Sequence, residues 1–223
     1  KKIVSPVYLE LAEKHRTSFE GYIETTSSHC QIVALIQDGR LVNDVKRGTE
    51  VGIVLERTPF YAEAGGQVGD TGRVYASGGF EEIADIHDTY YPVDSLIVHK
   101  ATAREALHTG DWVRPVVDAA RRDAIRRNHT ATHLLHAALR KTLGTHVKQA
   151  GSLVAPDRLR FDFTHYAALD EQDLLDIEDL VNERILANET VTTEMTDLDT
   201  AVGSGAMALF GEKYADQVRV VSM

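Results

Sequence analysis

A single cysteine, Cys30, stands among the 223 residues. No disulfide can therefore form within the chain, and no multi-cysteine zinc cluster can be assembled from it. That cysteine usage assigns the chain to the reducing, cytoplasmic compartment by default. Long apolar runs are missing as well. None approaches the roughly 18 residues of a membrane-spanning helix, and the opening Lys1-Lys2-Ile3-Val4 lacks the apolar core of a signal peptide. No membrane partner is expected. Positive charge is scarce too: 24 basic residues against 34 acidic ones give a net charge of −10. This excludes a wholly basic nucleic-acid coat unless positive charge gathers on one face. Repeats and low-complexity stretches do not occur. What is present is a 43% apolar chain, long enough to bury the core of one or two domains. It opens without an initiator methionine and stops at Val220-Val221-Ser222-Met223, inside a strand-like run, and we expect an excised fragment.

The texture of the sequence predicts an α+β fold. Residues 1–20 are polar with scattered apolar positions (Val7, Leu9, Leu11, Phe19) that allow a short helix carried over from a preceding domain, and the stretch is expected to be a linker or the tail of that domain. From Gly21, short β-prone runs alternate with turn signals: Cys30 to Ile36, Val51 to Leu55, Gly72 to Tyr75, Ile83 to Ile86, Leu96 to Val98 and Asp111 to Val117. Asp38-Gly39 between two such runs is a hairpin signal, because glycine tolerates the positive φ of a primed turn. The spacing predicts a small β-barrel over 21–115. After Pro115 the periodicity becomes helical, with Ile125, Leu134, Leu135, Ala138 and Leu139 on a helix of about four turns, Asn128 as its cap and Gly144 as its stop. A hairpin turning at Ala155-Pro156-Asp157-Arg158 follows. The stripe Leu174, Ile177, Val181, Ile185 marks a second helix with an acidic outer face, and strands at Thr190 to Met195 and Val218 to Val221 complete an α/β sandwich core over 116–223.

Three features can carry chemistry. In His129-Thr-Ala-Thr-His133 a helix presents two imidazoles one turn apart, able to reach one metal ion. Residue 130 is threonine rather than glutamate, so the general base of a metalloprotease helix is absent and a zinc peptidase is disfavoured. His136 lies on the same face, where geometry allows either a third ligand or a packed side chain. His165 is open to the same two readings. The second feature is the segment from Arg57 to Gly72. Its Gly65-Gly66 pair permits close backbone approach to a ligand, and Thr58 and Gln67 offer a hydroxyl and an amide for polar recognition; a plain Gly-rich turn is the alternative. The third is local charge. Between Arg121 and Lys148 there are seven basic residues, Arg121, Arg122, Arg126, Arg127, Arg140, Lys141 and Lys148, against Asp123 alone, a balance of +6. Such a stretch either meets RNA phosphates or is an ordinary solvated helix face.

Taken together these segments resemble the editing region of the alanyl-tRNA synthetase family. The matching strings are Arg57-Thr-Pro-Phe-Tyr-Ala-Glu-Ala-Gly-Gly-Gln-Val-Gly-Asp-Thr-Gly72, Arg127-Asn-His-Thr-Ala-Thr-His-Leu-Leu-His136, Gln149-Ala-Gly-Ser-Leu-Val154, Arg160-Phe-Asp-Phe163 and Ala208-Leu-Phe-Gly-Glu-Lys-Tyr214. Their order and spacing agree from about Gly21 to the C-terminus. The resemblance implies that 116–223 is an editing core, incomplete at its C-terminus. It assigns His129 and His133 as half of a zinc site, whose other half, a Cys-x-x-x-His, would follow Met223. It also assigns the Gly-rich segment to the amino-acid pocket, with Gln67 and Thr58 as catalytic and Gly65 and Gly66 as substrate-binding residues, and the acceptor end of tRNA(Ala) as partner, with Arg122, Arg126 and Arg127 as contact candidates.

The implied activity has a physical rationale. An alanine pocket cannot strongly reject the smaller glycine, and serine adds only a hydroxyl, so a second site must hydrolyse the wrong esters. The expected chemistry is attack of water on the ester carbonyl of Ser-tRNA(Ala) or Gly-tRNA(Ala), aided by zinc. ATP would belong to the parent ligase alone. Two other readings stand beside this one: a free-standing editing protein, and a module that docks the acceptor end without chemistry.

Overall fold

The structure, a computed structural model, describes residues 5–204 and 216–222. The opening Lys1-Lys2-Ile3-Val4 and the string Ala208 to Tyr214 lie outside these. In chain order the elements are α1 (Pro6–Lys14), β1 (Ser18–Phe19), β2 (Cys30–Gln37), β3 (Arg40–Val42), β4 (Asp44–Val45), β5 (Glu50–Leu55), β6 (Arg57–Thr58), β7 (Gly72–Ala76), β8 (Glu82–Val93), β9 (Leu96–Ala103), β10 (Leu107–His108) and β11 (Trp112–Val117). Then come α2 (Ala119–Leu143), β12 (Lys148–Val154), β13 (Leu159–Thr164), α3 (Glu171–Ala187), β14 (Thr192–Asp197), α4 (Leu198–Gly203) and β15 (Gln217–Ser222). The chain divides into two compact units, Lys1–Thr130 with Ser152–Arg160, and Ala131–Gly151 with Phe161–Met223. Among the described residues no helix is long and apolar enough to cross a membrane.

The architecture is mixed α+β. The first unit holds a seven-stranded sheet ordered β11-β7-β8-β9-β5-β2-β3, antiparallel throughout, and β11 pairs in addition with β2 through Trp112↔Gln31 and Val113↔Cys30. The Asp38-Gly39 turn joins β2 to β3 with both residues at positive φ, as a primed hairpin requires. One face of the sheet carries a core of Ile32, Leu35, Ile53, Leu55, Val74, Ile86 and Val113. Ala34, Ile36, Val54 and Val98 form a second core with Leu11 of α1. The short helix allowed in residues 1–20 is α1, with Pro6 in its first turn and Leu11 buried against the sheet. A register shift between Ile32 and Ala34 moves the apolar positions of β2 from one face to the other, since one extra residue reverses strand alternation. β2 is consequently apolar on both sides.

α2 spans 25 residues, well beyond the four turns expected. Its first half is rich in arginine and the apolar stripe there shrinks to Ile125, which hides it from a periodicity argument. Asp118 caps it, its Oδ1 accepting from the Arg121 N–H at 3.0 Å; Asn128 is mid-helix. In the second unit, Ala138, Leu139, Val147 and Ile177 pack with Phe161, Phe163 and Val181. α3 begins at a capping box in which Asp170 and Asp173 bond each other's backbone N–H. Of the stripe expected to be buried, Ile177 is buried, whereas Leu174 and Ile185 are exposed.

Candidate functional site

The Gly-rich segment connects β6 to β7 in the first unit. Gly65 and Gly66 have φ of 58° and 86°, and Ala64 and Gln67 exchange two backbone hydrogen bonds of 2.9 and 3.2 Å. This is a primed two-residue turn, which glycine occupies without strain. Gly66 meets a further demand: a Cβ there would stand 2.4 Å from the Ser152 carbonyl oxygen. The Val154 N–H donates to the Gly66 carbonyl at 2.8 Å, and the Val68 N–H to the Val154 carbonyl at 3.1 Å. The close approach at Gly66 is therefore made to the chain's own backbone, whereas Gly65 faces open space.

The turn presents Gln67, only 8% exposed, to α2. Its Oε1 accepts a hydrogen bond from His129 Nδ1 at 2.7 Å. An amide oxygen only accepts, so Nδ1 carries the proton and the lone pair of the neutral ring lies on Nε2, the form a metal ligand needs. Asn128 holds the helix at this level by donating Nδ2 to the carbonyls of Ala155 and Pro156 at 2.7 and 3.3 Å.

Thr58 is engaged elsewhere. It is fully buried, accepts the Phe60 N–H at 3.1 Å, and lies 2.8 Å from His99 Nε2. His99 Nδ1 faces the Ile53 carbonyl at 2.9 Å and must donate to it, which leaves Nε2 to accept from the Thr58 hydroxyl. Burial pushes the His99 pKa down to about 4, which keeps the ring neutral. The structure thus joins Gln67 to His129, and Thr58 to His99.

The basic stretch is divided in the same way. Arg122, expected at an RNA surface, is buried. Its guanidinium binds both oxygens of Asp70 and donates to the carbonyls of Gly21 and Pro59, each at 2.8 Å. A guanidinium so enclosed meets no phosphate. Arg121 donates to the Gly69 carbonyl at 2.9 Å, gripping the same segment. Arg126 and Arg127 remain exposed, with Asp123 3.8 Å from Arg126.

His133 lies one turn beyond His129 on α2. The residue is exposed, yet desolvation by the surrounding protein lowers its pKa below the ordinary value. His136 is buried against Phe161, at 5.0 Å between ring centroids, and burial lowers its pKa. Among the described residues no group of three or more His, Cys, Asp or Glu side chains is placed to hold a metal ion. Cys30 is enclosed in β2, its thiol pushed up to about 11 by burial. The imidazoles of His129 and His133 have the right donor chemistry for zinc, but two donors fall short of the four that a structural site takes. A groove of about 560 Å³ over Arg73, Asp85, His87 and Asp118 includes none of the expected site residues.

The lone His99 reads in the sequence as a surface or packed imidazole, and the structure packs it. Sequence reasoning missed Asp70, whose partner Arg122 is distant in sequence and whose sole local signal is its placement within the Gly-rich segment.

Residues 2–121, over half of the chain, match the family described as tRNA synthetases class II (A), and the chain belongs to that family. Along its whole length it is 52% identical to an alanine–tRNA ligase of Solibacter usitatus. It is likewise 48% identical to one of Sphingopyxis alaskensis and 47% to one of Rhizobium johnstonii. The chain spans 25% of the length of each of these relatives.

Proposed function

We propose that this chain is the editing part of an alanine-specific synthetase, a deacylase acting on Ser-tRNA(Ala) and Gly-tRNA(Ala). The observation that carries the reading is the 2.7 Å hydrogen bond from His129 to Gln67. It draws the two longest strings of the resemblance, separate in sequence, into one polar site. In this reading water attacks the ester carbonyl, the bond to the 3′-terminal ribose oxygen breaks, and the free amino acid and intact tRNA leave. Gln67 holds the His129 ring in one tautomer and orientation. Gly65 and Gly66 form the turn that brings Gln67 there, and Thr58 acts from inside the sheet by fixing the strand that enters the segment. His129 and His133 would hold zinc as half of its donor set, and a bound zinc would supply polarisation of the ester carbonyl or of water. Arg126 and Arg127 are the phosphate contacts we assign to the acceptor end of tRNA(Ala). In the same reading, the β11–β2 pairing closes the large sheet into a small barrel over 21–115, ahead of a partial editing core over 116–223.

The test is the initial rate at which Ser-tRNA(Ala), Gly-tRNA(Ala) and Ala-tRNA(Ala) lose their amino acids, measured with zinc for this chain and for a longer form reaching past Met223. Clearance of serine and glycine but not alanine, reduced by Gln67→Ala with the fold intact by circular dichroism, supports the reading. Filter binding without hydrolysis in both forms replaces it with a non-catalytic acceptor-end module.

A further inference from the structure

In the second unit the loop after α2 and the end of β13 bring three flat rings together. His146 Nε2 and His165 Nδ1 are hydrogen-bonded at 2.8 Å, with the rings inclined at 24° and centroids 5.1 Å apart. The two imidazoles therefore lie nearly side by side. Tyr166 stacks over both, 4.4 Å from His146 at 25° and 4.6 Å from His165 at 28°. One face of the tyrosine ring is covered in this way, yet the residue is 81% exposed. The remaining accessible area lies on the opposite face and the ring edge.

The layer beneath is built rather than incidental. Arg140 donates to the carbonyls of Thr145 and Val147 at 2.8 and 3.0 Å, fastening the backbone on both sides of His146. Gly144 ends α2 with φ of 114°, and a Cβ there would meet His146 Nδ1 at 3.0 Å, so a side chain at this position would displace the imidazole. The charges next to the 144–147 loop in sequence are positive, Lys141 in the last turn of α2 and Lys148 at the start of β12, both exposed, whereas Asp162 and Asp170 flank His165 and Tyr166.

A flat ring held with one face to solvent and carried on an ordered layer, with Lys141 and Lys148 flanking that layer in sequence, suits one ligand class in particular. Unpaired bases stack on such faces while their phosphates meet the lysines, and the prior ordering of the ring lowers the entropy lost on contact. We propose that the Tyr166 face is a stacking platform for an unpaired base of a single-stranded RNA segment. The inference deepens the reading above, resting on it for RNA as the substrate class, and assigns a contact outside the Gln67–His129 pair.

The experiment compares the affinity of the chain for a fluorescent unpaired RNA of about ten nucleotides with that for an abasic strand of the same length and charge, by anisotropy at fixed salt. The wild type should prefer the RNA by about tenfold, the range expected for one stacked base. Tyr166→Ala should abolish the preference without weakening binding to the abasic strand, and Tyr166→Phe, which keeps the ring, should restore it. Thermal unfolding of each variant separates loss of the ring from loss of the fold. A wild type that binds both strands equally overturns the proposal. So does a Tyr166→Ala variant that keeps the preference, or a dimer that dissociates on that substitution. Ester hydrolysis is measured in parallel: if it is absent while the RNA preference and its loss in Tyr166→Ala persist, the deacylase reading fails and the platform stands.

Discussion

Replacing Arg122 with methionine distinguishes an interior role from an RNA contact. In the folded chain its guanidinium meets both oxygens of Asp70 and two backbone carbonyls. Methionine fills much of the same space but donates nothing. Asp70, fully buried, would retain the Tyr61 N–H at 2.7 Å and lose its counter-charge. Breaking one side of a buried ion pair costs about 3 to 5 kcal/mol, chiefly because the other charge is left uncompensated. With the Gly21 and Pro59 carbonyls also losing a donor, we expect a loss of about 4 kcal/mol. That is a large share of the roughly 5 to 15 kcal/mol that holds a typical domain folded. Trp112, the single tryptophan, lies in β11 of the same unit and reports its unfolding in urea. Arg122→Lys keeps the charge without the fork and should fall between the two. Asp70→Asn combined with Arg122→Met should be less destabilised than Arg122→Met alone, because no unpaired charge remains. The salt dependence of RNA binding should stay unchanged in every folded variant. The reasoning is refuted if Arg122→Met unfolds within about 0.5 kcal/mol of the wild type while that salt dependence weakens.

Four further outcomes concern the same unit. With His99 held to about 4 against an unfolded value of about 6.5, the unfolded chain takes the proton first. This contribution is complete above pH 6.5 and declines by about 1.4 kcal/mol per pH unit between 6.5 and 4; urea midpoints across that window should show the decline, and His99→Gln should flatten it. Thr58→Val strands His99 Nε2 and the Phe60 N–H, so it should cost about 1 to 3 kcal/mol of stability and leave the serine-to-alanine clearance ratio unchanged, which paired unfolding and deacylation assays would reveal. Gly65→Ala, in open space at positive φ, should cost about 1 to 2 kcal/mol. Gly66→Ala forces a methyl onto the Ser152 carbonyl as well, so thermal unfolding should show a larger loss, accompanied under the proposed deacylase function by slower ester hydrolysis.

What the sequence disclosed and what it concealed divide by the range of the interaction. The Asp38-Gly39 hairpin was legible because its cause is local: two adjacent residues tolerate the φ that the turn imposes. The first half of α2 was not, since its arginines hold no apolar stripe; Arg121 and Arg122 turn inward to carbonyls and a carboxylate that periodicity cannot see. The face switch in β2 depends on a register shift against β5, which no reading of β2 alone contains. Thr58 illustrates the same limit at the site. Its position in the Gly-rich string marks it as polar and near the turn, but whether its hydroxyl faces a ligand or the interior is decided by His99, 41 residues away.

Gln67 and His129 show where motif and geometry complement each other. They are 62 residues apart in sequence, and each was singled out by the string around it. Neither string says which nitrogen of the histidine carries a proton. That is set by the amide oxygen at 2.7 Å, and the amide is set in turn by a turn whose second glycine must leave room for a backbone carbonyl. The tautomer of His129 therefore depends on Gly66, a residue with no functional group. A perturbation of that packing should change the site as surely as a change in either polar partner.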